Sequence, residues 1–397
     1  MSAVSEQGKS TPQHQVPWLE LFYDLVVVAS VAVLTETVNP LTGLVGEAWI
    51  FIASTSLFLI WLLTTFIFNK FPPDDDPASF SDSVWRVTRT TCVFFQMIAV
   101  SVVVLAVNQG HEGLSNDLGL LALGFTLLVL ATTFILSLRV HHTPAPRVRL
   151  VAVLLAVTGV GLIIGSVSPD SWNGEYFGLA LLILIAAVII FVRDHSRPID
   201  FSHLMERFGL LTIIVLGESI LTLTLSFAEG HHISNVPLFI LAMIFPIAAF
   251  VMYFKMPPLE PGATPPILIW VLVQFIVIAS FAATGSSLTN RAVHEEFVHL
   301  PGSGDKLTVR FVVALVAMAG MCLVGRRITR RPVGVYLVAA AAILITTVVA
   351  VQMHWSNESL LLAQGAIFIA SVLVSAGFVG SAKRSIARLE QSNATTT

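Results

Sequence analysis

The sequence predicts an all-α, polytopic membrane protein with about twelve transmembrane helices. Three observations predict this class: 55% of the 397 residues are hydrophobic, only 11% are charged, and the mean hydropathy is +0.85. A water-soluble domain usually carries about a quarter charged residues. The net charge of −3 provides no basic surface for nucleic acid, so we expect the lipid bilayer as a partner and no nucleic-acid partner.

Apolar runs of about 20 residues define the predicted helices. In a bilayer core of about 30 Å, each backbone amide must be hydrogen-bonded within its own segment, which requires a helix of that length. Twelve such runs lie between polar, proline or glycine breaks. In chain order they are 18–38, 46–68, 84–107, 117–138, 148–167, 174–192, 206–228, 236–254, 266–288, 308–324, 333–351 and 359–380.

The positions of lysine and arginine predict the orientation of these helices. Cytoplasmic loops of membrane proteins carry an excess of positive charge. With both termini placed in the cytoplasm, 18 of the 21 Lys and Arg residues fall on the cytoplasmic side and three on the outer side. We therefore expect a multi-pass membrane protein with both termini in the cytoplasm.

The two halves of the chain align with each other. An offset of 186 residues places Glu20 on Glu206 and Phe22 on Phe208, and spans two to six then fall on spans eight to twelve. Because six is even, the halves would be parallel repeats; chance alignment of evenly spaced helices is the alternative. The predicted organisation is a polar tail (1–17), a first six-helix half (18–193), a cytoplasmic linker (194–205), a second half (206–380) and a polar tail (381–397).

An acidic pair lies near the cytoplasmic end of the first span. Glu20 and Asp24 are one helical turn apart and share a face. Arg86 and Arg89 occupy the corresponding depth of the third span, where they would neutralise the pair if the two helices pack together. Such a cluster could form a cytoplasmic gate, and the alternative is an ion-pair clamp that fixes helix register.

The seventh span carries charged residues at two depths. His203, Glu206 and Arg207 lie at its start, where Glu206 also suits the positive end of the helix dipole. Glu218 follows twelve residues after Glu206, about 18 Å along the helix and close to the bilayer midplane. A carboxyl group at this depth is a candidate proton or cation site, and the alternative is a protonated side chain that serves packing.

The sequence contains no motif that indicates a cofactor or a bound metal. Cys92 and Cys322 lie in apolar runs without the Cys and His spacing of a zinc site. The chain also lacks a phosphate-binding loop and a nucleophile elbow. We therefore expect no cofactor, and neither ATP-driven pumping nor hydrolase chemistry is indicated.

Two segments resemble the signature segments of the bacterial low temperature requirement A (LtrA) family. They are residues 18–28, WLELFYDLVVV, and residues 203–219, HLMERFGLLTIIVLGES. The matching positions are Glu20, Phe22, Asp24, His203, Glu206, Arg207, Gly209, Gly217 and Glu218, with Arg86 or Arg89 matching a third-span arginine. The resemblance implies a polytopic bacterial plasma-membrane protein connected with growth in the cold, and it supplies no substrate.

These observations favour a secondary transporter or an ion-conducting protein. In this hypothesis Glu218 and Asp24 bind protons or small cations in a cavity between the halves, and the substrate is an unknown small molecule. One alternative is a membrane-embedded enzyme acting on a lipid or lipid-linked substrate, although only carboxylates and His203 could serve as its acid or base. Another is a non-catalytic membrane scaffold. The sequence leaves an enzyme role and formation of a homo-oligomer open.

Overall fold

The structure, a computed structural model, describes residues 18–37, 44–72, 80–109, 115–167, 173–229, 236–256, 266–293, 306–324, 331–353, 355 and 357–394. These residues form twelve α-helices and no strands. The helices are α1 Trp18–Thr37, α2 Leu44–Lys70, α3 Phe80–Gln109, α4 Ser115–Val140, α5 Pro146–Gly165, α6 Asn173–Val192, α7 Phe201–Glu229, α8 Val236–Phe254, α9 Ile267–Val293, α10 Lys306–Val324, α11 Arg331–Gln352 and α12 Asn357–Ala394.

The all-helical class predicted from the sequence is confirmed. Within the described residues, nine helices are long and apolar enough to cross a membrane, and two shorter apolar segments lie in α8 and α10. α1 is not among the nine; it carries Glu20 and Asp24 in its first two turns. Two boundaries differ from the predicted organisation, since α7 begins within the predicted linker and α12 continues to Ala394. The chain is thus a membrane protein with multiple apolar helices.

The helix contacts follow the same order in the two halves of the chain. In the first half α1 packs on α2 and α3, α4 packs on α3 and α5, and α6 packs on α5 and α2. In the second half α7 packs on α8 and α9, α10 packs on α9 and α11, and α12 packs on α11 and α8. The halves meet mainly where α1 contacts α7, with further contacts of α2 with α7 and of α9 with α1 and α6. The first helix of each half therefore lies at the junction.

The end of α2 holds the segment that leads into α7. Asn69 is hydrogen-bonded to the backbone of Asp200 in both directions, at 2.8 Å each. Lys70 Nζ donates to the backbone and side-chain oxygens of Asp194, at 2.7 Å each, and the Lys70 side chain is fully buried. Asp200 in turn accepts the backbone N–H groups of Ser202 and His203 and so caps the start of α7. These contacts fix the position at which α7 begins.

The Lys70–Asp194 ion pair predicts a pH-dependent stability. Burial raises the pKa of Asp194, but hydrogen bonds from Lys70 and Ser196 outweigh this effect and lower the pKa below its usual range. The pKa of this carboxylate is about 4 in the unfolded chain and lower in the folded protein. Its contribution to stability is complete when the pH is above the unfolded pKa, and it is lost as the pH falls through the folded pKa. The wild-type protein should therefore be more stable than Asp194→Asn at pH 7, with a gap that narrows below about pH 4.

Thermal unfolding midpoints of the two proteins in detergent, measured from pH 7 to pH 3, check this prediction. The asparagine side chain of the variant cannot titrate, so the variant supplies the baseline for all other carboxylates. A gap of constant size over the whole pH range would show that the Asp194 carboxylate does not stabilise this end of the bundle.

Candidate functional site

Four charged side chains meet at the junction of α1, α2, α3 and α7. Glu20 and Asp24 project from the first two turns of α1, as their spacing predicts, and Arg207 of α7 lies between them. Arg89, near the start of α3, completes the group by contacting Glu20. We refer to Glu20, Asp24, Arg89 and Arg207 as the charge centre.

Arg207 binds both carboxylates at once. Its Nη1 donates to Glu20 Oε2 at 2.5 Å and its Nη2 donates to Asp24 Oδ1 at 2.6 Å. Arg89 Nη2 donates to the other oxygen of Glu20. Trp61, in α2, donates its indole N–H to Asp24 Oδ1 at 2.6 Å. Two carboxylates and two guanidinium groups balance, so the charge centre is neutral when all four groups are ionised.

The charge centre is buried and enclosed by aromatic side chains. Asp24 is 0% exposed, Arg207 1% and Glu20 4%. The Arg89 guanidinium lies 4.5 Å from the centre of the Phe68 ring, and Trp61 packs edge to face on Phe208 at 5.2 Å. Low dielectric surroundings strengthen each ion pair and make any loss of a partner costly. The four charges therefore act as one unit rather than as independent pairs.

Two polar atoms of the charge centre have no hydrogen-bond partner among the described residues. Asp24 Oδ1 accepts two hydrogen bonds, whereas the buried Oδ2 of the same carboxylate accepts none from the described part of the chain. Arg207 Nε is likewise buried and unpaired there. Buried polar atoms are almost always hydrogen-bonded in proteins, so these two atoms are exceptions within the charge centre.

The other predicted site residues lie outside the charge centre. Arg89 is the third-span arginine that contacts Glu20, and Arg86 lies one turn earlier and is exposed. His203 is half-buried, with Nδ1 3.2 Å from Asn69 Nδ2. Glu206 is exposed although its neighbour Arg207 is buried. Sequence spacing placed His203, Glu206 and Arg207 at the start of one helix without deciding which of them points inward.

Glu218 lies farther along α7, eleven residues after Arg207. It is half-buried, and Thr222 Oγ1, one turn later, lies 3.4 Å from its Oε1. Eleven residues of α-helix span about 16 Å, so Glu218 and the charge centre are separate sites on one helix. The structure brings Glu20, Asp24, Arg89 and Arg207 together and leaves Glu218 apart from them.

The contribution of α2 to the charge centre was not predicted from the sequence. Trp61 was counted only as part of an apolar run, yet its indole N–H holds Asp24, and Asn69 and Lys70 hold the approach to α7. A tryptophan within an apolar run, or a lysine directly after it, is the available signal, since each needs a polar partner when buried. Among the described residues, no group of three His, Cys, Asp or Glu side chains is placed to hold a metal ion.

Comparison with known proteins identifies a family whose sequences this chain matches. The sequence model of the family described as bacterial low temperature requirement A protein (LtrA) matches residues 15–376. A curated protein of Rhizobium meliloti, described only as uncharacterized, is 26% identical over an alignment of 229 residues that covers 54% of this chain. The chain spans about half the length of that relative, 52%. No solved structure matches the chain.

Proposed function

This chain belongs to the bacterial low temperature requirement A family, and from that premise we propose that it is a proton- or cation-coupled secondary transporter, or an ion-conducting protein, of the bacterial plasma membrane. The observation that carries the proposal is the buried charge centre at the contact of α1 with α7. Ionisable groups buried within a membrane bundle are costly and are candidate functional groups by default, so four of them at one junction favour a functional role.

Proton binding at the charge centre would change the contact between the two halves. Protonation of Asp24 removes one negative charge, weakens its ion pair with Arg207 and leaves a net positive charge in a buried site. That state disfavours close packing of α1 on α7. Release of the proton restores the neutral centre and the packed junction. A proton can therefore shift the equilibrium between two arrangements of the halves by its differential affinity for them.

The proposal includes an internal duplication of six helices, with residues 18–193 and 206–380 as the parallel halves. The shared order of helix contacts supports it. An offset of 185 residues also places Phe68, Trp85 and Arg89 on Tyr253, Trp270 and Gln274. Arg89 stacks on Phe68 in the first half, and Tyr253 is hydrogen-bonded to Gln274 in the second, so the aligned positions touch in both.

The duplication would also explain why the charged side chains are concentrated at the charge centre. The second half carries a neutral Gln274 where the first half carries Arg89, and Leu210 where the first carries Asp24 by the 186-residue offset. The balanced charges are thus supplied by the first half together with Arg207. With both termini in the cytoplasm, as the lysine and arginine positions favour, the charge centre lies near the cytoplasmic face and would gate that side.

Reconstitution in liposomes tests the proposed function. Purified protein is placed in vesicles under an imposed pH gradient or cation gradient, and vesicle pH and membrane current are recorded beside protein-free vesicles. We expect gradient-dependent flux of protons or of a small cation. Vesicles that hold folded protein and match protein-free vesicles under every gradient would contradict the proposal.

Glu218 provides a second test of the transport pathway. Replacement of Glu218 by Gln keeps the shape of the side chain and removes its capacity to carry a negative charge. We expect flux to fall to the background level while the protein remains folded, as judged by size-exclusion chromatography in detergent. Thr222→Val, which removes the hydroxyl beside Glu218, is the matched control and should retain flux. Wild-type flux in Glu218→Gln would remove Glu218 from the pathway.

A further inference from the structure

A chain of polar side chains continues from the charge centre into the interior of the first half. Thr64 Oγ1 lies 2.9 Å from Gln96 Oε1, Gln96 Nε2 lies 3.3 Å from Cys92 Sγ, and Thr133 Oγ1 contacts the same sulfur. All four residues are at most 4% exposed. We call Thr64, Gln96, Cys92 and Thr133, which belong to α2, α3 and α4, the polar branch.

The polar branch lies next to the charge centre, one helical turn farther along α2 and α3. Thr64 follows Trp61 by one turn of α2, and Cys92 follows Arg89 by one turn of α3. Tyr23, next to Asp24, is buried between the two sets. Its hydroxyl lies close to Thr64 and has no hydrogen-bond partner among the described residues. An unpaired buried hydroxyl, together with the unpaired Asp24 Oδ2, leaves two polar atoms of α1 able to accept water at this point.

The hydrogen bonds of the polar branch can switch. The single hydroxyl proton of Thr64 has two acceptors, Ile60 O at 2.9 Å and Gln96 Oε1 at 2.9 Å. Thr133 also has two, Val129 O at 2.9 Å and Cys92 Sγ. Each hydroxyl can therefore change its acceptor and remain hydrogen-bonded. Packing alone does not require these groups, because valine has nearly the shape of threonine and avoids burying a hydroxyl.

We propose that the polar branch is the route by which water and protons reach Asp24 through the first half, in a state in which α2, α3 and α4 separate slightly. The ligand class is water and its excess proton, carried by hydrogen-bonded water along Tyr23 and the four residues of the polar branch, Thr133 included. This inference rests on the proposed function, which supplies the reason for a proton to reach Asp24. In the packed state described above, the polar branch is closed.

Thiol labelling tests the inference on the unmodified chain. Cys92 lies in the polar branch and Cys322 lies in α10, and both are buried, at 4% and 0% exposure. The protein in liposomes is treated with a small water-soluble methanethiosulfonate, and modification of each cysteine is followed by mass spectrometry. Because such reagents need a hydrated thiolate, we expect Cys92 to react at least about tenfold faster than Cys322. Equal rates, or a slower Cys92, would overturn the inference.

Substitution of the polar branch provides an independent readout. Gln96→Leu and Thr133→Val should each reduce proton flux about tenfold or more, the effect of losing one hydrogen-bonding group from the path. Thr126→Val is the matched control, because Thr126 lies on α4 at 0% exposure and donates to Ala122 O of its own helix. That variant should keep wild-type flux.

The outcomes separate the two proposals. Flux in the wild type that is unchanged in Gln96→Leu and Thr133→Val, with Cys92 as unreactive as Cys322, overturns the polar branch and leaves the transport function standing. Absence of flux in the wild type overturns the transport function, and a Cys92 that still reacts faster than Cys322 then supports a hydrated branch by itself.

Discussion

Arg207→Ala is expected to destabilise the protein by about 3–5 kcal/mol, the cost of leaving buried charge without its partner. Arg207 donates to Glu20 and Asp24 and is 1% exposed, so its removal leaves Asp24 with only the Trp61 hydrogen bond and Glu20 with only Arg89 among the described residues. We expect a large fall in the thermal unfolding midpoint in detergent and a lower yield of monodisperse protein.

Two neighbouring substitutions serve as controls for Arg207→Ala. Glu206 precedes Arg207 in the chain but is exposed, so Glu206→Ala should leave the midpoint nearly unchanged. Arg207→Lys keeps the charge but loses the simultaneous contact with both carboxylates. Its unfolding midpoint should lie between those of Arg207→Ala and the wild type. An Arg207→Ala protein as stable as Glu206→Ala would mean that the ion pairs of the charge centre do not hold α7 on α1.

Asp24→Asn is expected to abolish flux while the protein still folds. Asparagine keeps the size of aspartate and can still accept the hydrogen bonds from Trp61 and Arg207. It cannot bind and release a proton, and it leaves the charge centre with one net positive charge when Glu20, Arg89 and Arg207 are ionised. We therefore expect flux at background in proteoliposomes and an unfolding midpoint that falls by less than in Arg207→Ala.

A double substitution separates transport from packing at the charge centre. Asp24→Asn combined with Arg207→Ala leaves Glu20 and Arg89 as a balanced pair, so stability should recover relative to Arg207→Ala alone. Flux should not recover, because the titratable group is still missing. If the double variant regained both stability and flux, the charge centre would be an ion-pair clamp and not a transport site.

The sequence by itself determined the class of the protein and most of its helices. Hydropathy and run length depend on local composition, because each membrane helix must satisfy its own backbone groups. The twelve predicted runs therefore correspond to twelve helices in order, with ends that agree within about five residues except at α12, which continues to Ala394. The spacing of Glu20 and Asp24 also determined that they share a face of α1, since a helix fixes the direction of residues four apart. The two signature segments pointed to the family, which is confirmed.

Only the tertiary structure decided which cations meet that acidic face. Arg89 rather than Arg86 contacts Glu20, and Arg207 joins residues 187 and 183 positions away. Arg207 is buried and Glu206 is exposed because adjacent residues of a helix point about 100° apart and the packing of α1 on α7 selects one direction. The indole of Trp61 reaches Asp24 by the same packing. Local periodicity fixes what lies on one face of one helix, whereas contacts between distant helices depend on the fit of whole surfaces, which no single segment encodes.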